Sequence, residues 1–405
     1  MKAEDKMHTS RTQTNTTIGV WPQFAGPEAT DRTFGNNFSF ASATADARAN
    51  GGPPPRQSSV VSLASRKPDY NEFVSRTCHC PMNILQLFEK SWMHFSSTVL
   101  FAGKCFPHYS GSEATLGYEN GTLYVHPLSK KQTLRTFVHG KYIRGLLTVL
   151  LRARQFKGPI SFSVHTSDDG SSRKTGVKPF LCVHASFPSF ECVHNLILPI
   201  DPDRQDYAFI ARLVTASVKR VDIPYMSRKD AAVWRGSNTG HGYRKEVINR
   251  LANLPRVNIA FSKKFKMSEF ASFKVILAID GNSFSSLFKE ALLLGSVVVR
   301  LRNQNFSRQR HQEWFEPFLQ HGTHYLECED SREAVERAVN WVLEHPLVGQ
   351  RIATQGQTFA KWIFSAKNVR CYTCTTLLTA SYQQQMQSSC VNKSFAGLGW
   401  KELEF

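Results

Sequence analysis

The clearest hydrophobic pattern in the chain is a pair of apolar runs joined by a polar turn and a short helical segment. The pattern predicts a strand over residues 273–279, a turn over 280–285, a helix over 286–294 and a strand over 296–301. The first run is apolar at all positions but one, which is typical of a strand covered on both faces. Two such strands joined by one helix predict a βαβ unit with parallel strands.

The polar turn of this unit has the side chains of an anion-binding site. In a parallel sheet the turn after a strand lies at the carboxyl edge, and a helix that starts there presents free N–H groups to an anion. Ser285 or Ser286 is in position to cap the helix, and Lys289 adds a positive charge. An ordinary strand–helix connection without a ligand explains the pattern equally well. The candidate binding residues are Gly281, Asn282, Ser283, Phe284, Ser285, Ser286 and Lys289.

A second strand, turn and helix begins near residue 231. Residues 231–237 predict a short strand entering a turn, residues 238–243 form a glycine-rich loop, and Arg244 opens a helix. The Ser237 hydroxyl and the Arg244 guanidinium are both able to hydrogen-bond an anion. The alternative is a plain loop with a surface arginine. Two turns that each offer hydroxyl groups and a cation favour one shared ligand.

Two adjacent carboxylates, Asp168 and Asp169, follow a predicted strand over residues 160–165. Carboxylates at the carboxyl end of a strand are well placed for catalysis. Aspartate followed by Gly170 is also an ordinary turn former, so a turn without catalysis stays open on these residues alone.

Composition bounds the class of protein. At 405 residues and 41% hydrophobic content, the chain predicts two or three domains with sizeable cores. Residues 1–70 lack apolar periodicity and predict disorder. The formal net charge of +18 predicts attraction to anions such as nucleic acid, acidic membrane, nucleotide or acidic glycan. The sequence contains no run of eighteen apolar residues, so no transmembrane segment is predicted. The first residues lack the apolar core of a secretory signal.

The nine cysteines include two close pairs, Cys78-x-Cys80 and Cys371-x-x-Cys374. The pairs could pool into a zinc site, but no second close pair flanks either one. Disulfides in an oxidising compartment, or buried thiols, explain the cysteines better, so no metal site is predicted.

Three segments share their order and spacing with one known family. The motifs are Trp234-Arg235-Gly236-Ser237 with Arg244, the run 274–282 with Lys289 and 295–298, and His324-Tyr325 with Trp341 and 352–356. On these motifs the chain resembles the capsule-associated-protein-like glycosyltransferases (glycosyltransferase family 90). That family includes protein O-glucosyltransferases and fungal capsule xylosyltransferases. The resemblance is good over residues 233–364 and weaker over 121–199.

The resemblance implies an α/β fold with two Rossmann-like domains facing a cleft, the GT-B arrangement. The implied divisions are a disordered segment 1–70, an acceptor-side domain 71–220, a UDP-sugar-binding domain 221–365, and a C-terminal helix and tail 366–405. The implied reaction is an inverting transfer of glucose or xylose from a UDP-sugar to a hydroxyl of a protein or glycan. The donor is a substrate and no cofactor is implied. The family also implies O-glycosylation in the lumen of the Golgi or endoplasmic reticulum.

The resemblance also implies roles for individual residues. Asp168, with Asp169 as its rival, would take the proton of the acceptor hydroxyl. Arg235, Ser237, Arg244 and the turn with Lys289 would hold the UDP-sugar, and their charge would stabilise the departing diphosphate without a metal.

Leu287 departs from the pattern of that family, because many members carry an arginine there that would contact the diphosphate. The alternative is therefore a catalytically inactive sugar- or nucleotide-binding relative. A nucleic-acid-binding protein is a weaker alternative, because the basic residues are spread out and no recognition motif accompanies them.

Overall fold

A computed structural model describes residues 76–78, 80, 114–126, 159–164, 180–182, 185–187, 196–197, 207–219, 223–240, 242–262, 265–281, 284–302, 310–385, 394–399 and 401–402. The chain divides into two units, Met1–Val61 and Ser62–Phe405, and every described residue belongs to the second. The predictions for residues 1–70, Asp168, Asp169, Asn282 and Ser283 lie outside the described residues.

The described elements are short strands followed by longer helices. The strands are β1 (Ala114–Glu119), β2 (Thr122–Val125), β3 (Ile160–Val164), β4 (Phe180–Cys182), β5 (Ala185–Phe187), β6 (Leu196–Ile197), β7 (Lys229–Gly236), β8 (Val257–Phe261), β9 (Phe273–Ala278), β10 (Val297–Arg302), β11 (Arg310–Gln312), β12 (Leu326–Glu329) and β13 (Lys401–Glu402). The helices are α1 (Tyr207–Lys219), α2 (Tyr243–Leu251), α3 (Met267–Phe270), α4 (Ser286–Leu293), α5 (Arg332–Glu344), α6 (Pro346–Ile363) and α7 (Ala366–Gln385). Single 3-10 turns lie at Tyr225–Ser227, Glu316–Phe318 and Ala396–Leu398.

The first sheet has six strands in the order β13-β2-β1-β3-β4-β6. Its β1–β2 hairpin turns at Asn120 and Gly121, with φ of 50° and 91°. Two left-handed residues make the turn whose twist matches an antiparallel pair. Neighbours β3, β4 and β6 run parallel, so the sheet is mixed. The strand predicted over residues 160–165 is β3.

The second sheet is wholly parallel, with five strands in the order β12-β10-β9-β7-β8. Its central strand β9 is buried along its whole length. The predicted βαβ unit is confirmed as β9, α4 and β10, with bounds that differ from the sequence prediction by a residue or so. The predicted α/β class with parallel strands is therefore confirmed, whereas two domains facing a cleft stay a prediction.

Helices cover both faces of the second sheet. Arg332 of α5 donates to the carbonyls of Arg250 and Ala252 at the end of α2, at 3.3 and 2.8 Å, which fastens those two helices together. Right-handed crossovers place α4 on the opposite face from α2, because β7 and β9 lead to neighbours on opposite sides. Helix α6 packs on α4, where the Gln357 side chain donates to the Leu293 carbonyl at 2.9 Å.

Two disulfides join the described N-terminal residues to α7. Cys78 bonds to Cys374 and Cys80 bonds to Cys371. The four cysteines are therefore paired with one another, as the disulfide interpretation predicts, and they do not form a zinc site. In the part of the chain that the structure describes, no helix is both long and apolar enough to cross a membrane.

The two disulfides should contribute to stability non-additively. They close loops of almost the same span, 296 and 291 residues of separation, so either one removes most of the loop-closure entropy of the unfolded chain. We expect Cys78→Ser/Cys374→Ser, or the matched variant Cys80→Ser/Cys371→Ser, to lose about 2 kcal/mol of unfolding free energy, and the quadruple variant about three to four times as much. Urea denaturation measures all three. Additive losses from the two pairs would contradict the shared-loop account.

Buried His324 should make stability depend on pH. Its ring stacks on Phe359 at 4.7 Å between centroids, Nδ1 accepts from the Gln320 backbone N–H at 3.0 Å, and burial lowers the pKa of His324 to about 4. Below pH 6.5 His324 binds a proton in the unfolded chain but stays neutral in the folded chain. The free energy of unfolding is therefore highest above pH 6.5 and falls as the pH decreases towards 4.

The expected loss from His324 is about 3 kcal/mol over that interval. Denaturation at several pH values between 7 and 4 should show a shallower slope in His324→Gln than in the wild type. The exposed His345 provides the control, and His345→Gln should keep the wild-type slope. Equal slopes in the wild type and His324→Gln would contradict the assignment.

Candidate functional site

The turns after β7 and β9 lie side by side at the carboxyl edge of the parallel sheet. From β7 the chain passes through α2 to β8, and from β9 it passes through α4 to β10 on the other side. The order of the strands therefore reverses between β7 and β9. In open α/β sheets such a reversal leaves a crevice between two diverging turns, and ligands bind in it.

Two glycines bring these turns into contact. Gly240 has φ of +84°, and a Cβ there would lie 2.8 Å from the Gly281 carbonyl oxygen. A Cβ on Gly281 would lie 2.9 Å from Thr239 Oγ1. Both positions exclude a side chain, so the backbones of the two turns touch directly.

Arg244 fastens the two turns to each other. From the first residues of α2, its guanidinium donates to the Ser237 carbonyl and to Thr239 Oγ1 of one turn, at 3.2 and 2.7 Å. It also donates to the carbonyls of Ile279 and Asp280 in the other, at 2.9 and 3.2 Å. Arg244 thus satisfies carbonyl oxygens at the ends of β7 and β9. Its contact with an anion stays a prediction.

Arg235 also binds groups within the protein, on the neighbouring strand β8. Its guanidinium donates to the Asn258 carbonyl at 2.7 Å and to Asn258 Oδ1 at 2.6 Å, and it lies 5.0 Å from the Phe265 ring centre. Burial lowers the pKa of Arg235, and the nearby Glu269 opposes that shift. In the structure Arg235 therefore links β7 to β8, and its contact with a donor stays a prediction.

Helix α4 begins at Ser285, which occupies the capping position with φ −87° and ψ 104°. Ser285 is 2% exposed, and its Oγ has no hydrogen-bond partner among the described residues. The predicted capping position is thus confirmed, but the side chain makes no capping bond. Ser286 is exposed, Phe284 is buried, and Leu287 is 8% exposed in the core cluster.

Lys289 is fully buried one turn into α4. Its ammonium nitrogen lies 3.0 Å from Glu313 Oε1, with both side chains at 0% exposure, and 4.6 Å from the Phe284 ring centre. The sequence analysis expected this charge at a phosphate. The structure places it in an internal ion pair, because a lysine within a buried helix needs a carboxylate partner.

A second buried group of charges touches the first residue of the turn. Arg300 of β10 pairs with Glu316, and its other terminal nitrogen lies 3.6 Å from Asp280 Oδ2. Burial raises the pKa of Glu316, and Arg300 only partly offsets that shift. Sequence reasoning missed Arg300, Glu313 and Glu316. The signal was available, because Arg300 interrupts the apolar run of β10 and must find a partner.

The remaining predicted site residues lie outside the described residues. They are Asn282 and Ser283 of the turn and Asp168 with its rival Asp169. Within the described residues, no group of three or more His, Cys, Asp or Glu side chains is arranged to hold a metal ion.

Gly240→Ala should separate the cost of the turn contact from the cost of backbone strain. Gly240 and Gly242 have φ of +84° and +91°, but a Cβ on Gly242 meets nothing within 4 Å. We expect Gly242→Ala to lose about 1 kcal/mol of unfolding free energy from its backbone alone. Gly240→Ala should lose about 1–3 kcal/mol more, because its methyl group meets the Gly281 carbonyl. Urea denaturation compares the two, and equal losses would mean that the turns do not touch.

Comparisons with known proteins show similarity to glycosyltransferases. The chain has a remote structural likeness to HepE from Anabaena in complex with UDP-glucose, with 17% identity and a TM-score of 0.28 over 42% of this chain and 44% of HepE. It has a similar likeness to sucrose-phosphate synthase from Thermosynechococcus elongatus, with 10% identity and a TM-score of 0.30 over 47% of this chain and 52% of the synthase. The matched region therefore spans about half of those proteins. No curated protein matches the chain. Residues 211–395 match the family model of glycosyl transferase family 90. They contain the whole parallel sheet with both turns, so the similarity to that family covers this part of the chain.

Proposed function

We propose that the chain is an inverting glycosyltransferase that moves glucose or xylose from a UDP-sugar to a hydroxyl of a protein or glycan. The match of residues 211–395 to the family model of glycosyl transferase family 90 supports sugar transfer. The observation that carries the donor site is the contact of Gly240 with Gly281 at the strand-order reversal, directly before the start of α4. Such a crevice is where α/β proteins bind nucleotides.

In this proposal the diphosphate of the donor lies in front of α4. The first N–H groups of a helix carry a partial positive charge. In α4 the Phe288 N–H donates to the Ser285 carbonyl at 2.9 Å, so the N–H groups before it are the ones that face the diphosphate. Gly281 lets the two turns pack together next to this position, since a Cβ there would lie 2.9 Å from Thr239 Oγ1. Because Arg244 and Lys289 are engaged inside the protein, backbone N–H groups supply the main attraction for the departing diphosphate.

The acceptor half of the reaction requires a base. Asp168 would take the proton of the acceptor hydroxyl while its oxygen attacks C1 of the donor sugar, and the C1–oxygen bond to UDP breaks on the opposite face. This displacement inverts the configuration at C1 and leaves UDP with the bonding electron pair. No metal or cofactor is required by the proposal.

The lumen of the Golgi or endoplasmic reticulum is the compartment that we propose for this activity, with O-glycosylation as its product. The pairing of Cys78 with Cys374 and of Cys80 with Cys371 supports this assignment, because such disulfides persist in oxidising compartments.

A second candidate function is a sugar- or nucleotide-binding relative without catalysis. It is favoured by Leu287, which is buried in the core where many family members carry an arginine. It is also favoured by the internal ion pair of Lys289, which leaves that charge away from a diphosphate.

A panel of UDP-sugars distinguishes the two candidates. We expect the wild type to bind UDP in calorimetry and to release UDP from UDP-glucose or UDP-xylose when an acceptor hydroxyl is present. Asp168→Asn should slow UDP release about 10²- to 10⁴-fold without changing UDP affinity, because a general base contributes about that factor. Asp169→Asn is the matched variant, and the aspartate whose replacement abolishes release is the base.

Three outcomes of that panel decide the proposal. UDP binding without release from any UDP-sugar would favour the inactive relative. Absence of UDP affinity, together with strongly salt-dependent binding to nucleic acid, would contradict both candidates. Equal release rates in the wild type and both aspartate variants would remove the assigned base.

A further inference from the structure

Two buried ion pairs contact Asp280 and Phe284, the residues on either side of the turn that precedes α4. Lys289 pairs with Glu313 at 3.0 Å, both fully buried, and Arg300 pairs with Glu316 with exposures of 5% and 4%. Burying an ion costs several kcal/mol, and a well-packed apolar pair of similar volume is often at least as stable. A contribution to stability therefore does not explain why these charges are buried. A role in holding the surrounding residues in one geometry would explain them.

Both carboxylates belong to one short segment, residues 313–318. The Glu313 backbone N–H donates to Glu316 Oε1 at 2.8 Å, which sets the two carboxylates relative to each other. The aromatic neighbours hold the segment in place, since Phe315 packs on Phe288 at 6.0 Å and on Phe364 at 4.9 Å between ring centroids. The segment thus holds two carboxylates, of Glu313 and Glu316, at fixed positions.

Arg300 and Lys289 connect this segment to Asp280 and to Phe284, which lie on either side of the turn that precedes α4. Arg300 reaches Asp280, the first residue of the turn, at 3.6 Å. Lys289 lies in the first turn of α4 and also contacts Phe284, just before the helix, at 4.6 Å from its ring centre. A third contact, from Arg300 to the Phe288 ring at 5.0 Å, holds the helix itself. Cation–π contacts of this kind add attraction when the cation is desolvated.

We propose that Lys289, Arg300, Glu313 and Glu316 are positioning residues that hold Asp280, Phe284 and the start of α4 in the arrangement that receives the diphosphate of the donor. This inference rests on the proposed function, and it assigns these charges to shaping the site rather than to touching the phosphates. Because the N–H groups at a helix start attract an anion only within the first turn, a small rotation of α4 would misdirect them.

The test replaces the charges with an apolar pair. Lys289→Met/Glu313→Leu removes one ion pair at similar volume, so the melting temperature should stay within a few degrees of wild type or rise. UDP affinity, measured by calorimetry well below the melting temperature, should fall about tenfold or more. Amide hydrogen exchange at residues 284–288 should become faster, which reports directly on the start of α4.

The control removes an ion pair at the other edge of the same sheet, in which Lys274 is buried and Asp230 is 67% exposed. Lys274 lies 2.5 Å from Asp230 near the beginnings of β9 and β7, away from the turns. Lys274→Met/Asp230→Leu should change the melting temperature but leave UDP affinity at the wild-type value. Glu316→Gln, which keeps its size and its acceptor for the Glu313 N–H, is the second variant should the first fail to fold. It should weaken UDP binding several-fold.

The outcomes separate this inference from the proposed function. Wild-type protein without UDP affinity would overturn both. Wild-type protein that binds UDP, with folded variants Lys289→Met/Glu313→Leu or Glu316→Gln that bind it equally well, would overturn the positioning role alone. Equal loss of affinity in the Lys274→Met/Asp230→Leu control would also overturn it, because the effect would then be general destabilisation.

Discussion

The contact between the two turns at the strand-order reversal is the constraint on which the rest of the site depends. Where β7 and β9 end, their last carbonyl groups have no further strand to pair with, and buried carbonyl groups need partners. Arg244 provides one set of partners for both ends, and Gly240 and Gly281 let the backbones come close enough for it to do so. The relative position of the two turns follows from these few contacts.

Much of this architecture could be predicted from the sequence, because the apolar runs are long and their interruptions are informative. Residues 273–279 are almost wholly apolar, so the central strand and its parallel neighbour follow from the pattern of burial alone. The Asn120-Gly121 hairpin and the proline start of α6 follow from local backbone preferences. The strand order of the sheet depends on contacts between distant segments, which the hydrophobic pattern does not encode.

The partners of the charged side chains could not be predicted in the same way. Arg235, Arg244 and Lys289 lie near the predicted turns, and a ligand is the partner that their residue types suggest. Each has an internal partner in the structure, and the partner of Lys289 lies 24 residues further along the chain. A long side chain reaches several ångströms in any direction, so its position on a strand or helix does not determine the oxygen it meets. A charged residue within an apolar run does predict a buried partner, and Arg300 and Lys289 both obey that rule.

These internal pairings change how the positive charge of the chain bears on its ligand. The net charge of +18 predicts anion binding, yet the cations nearest the crevice are held by carboxylates and carbonyl groups of the protein itself. In the proposed donor site, attraction would come chiefly from N–H groups at a helix start, which have fixed directions and a short range. Such a site discriminates by the shape and the hydrogen-bond geometry of its anion, whereas a surface of free lysines would attract any polyanion. A compact diphosphate suits the first kind of site, and a nucleic acid backbone requires the second.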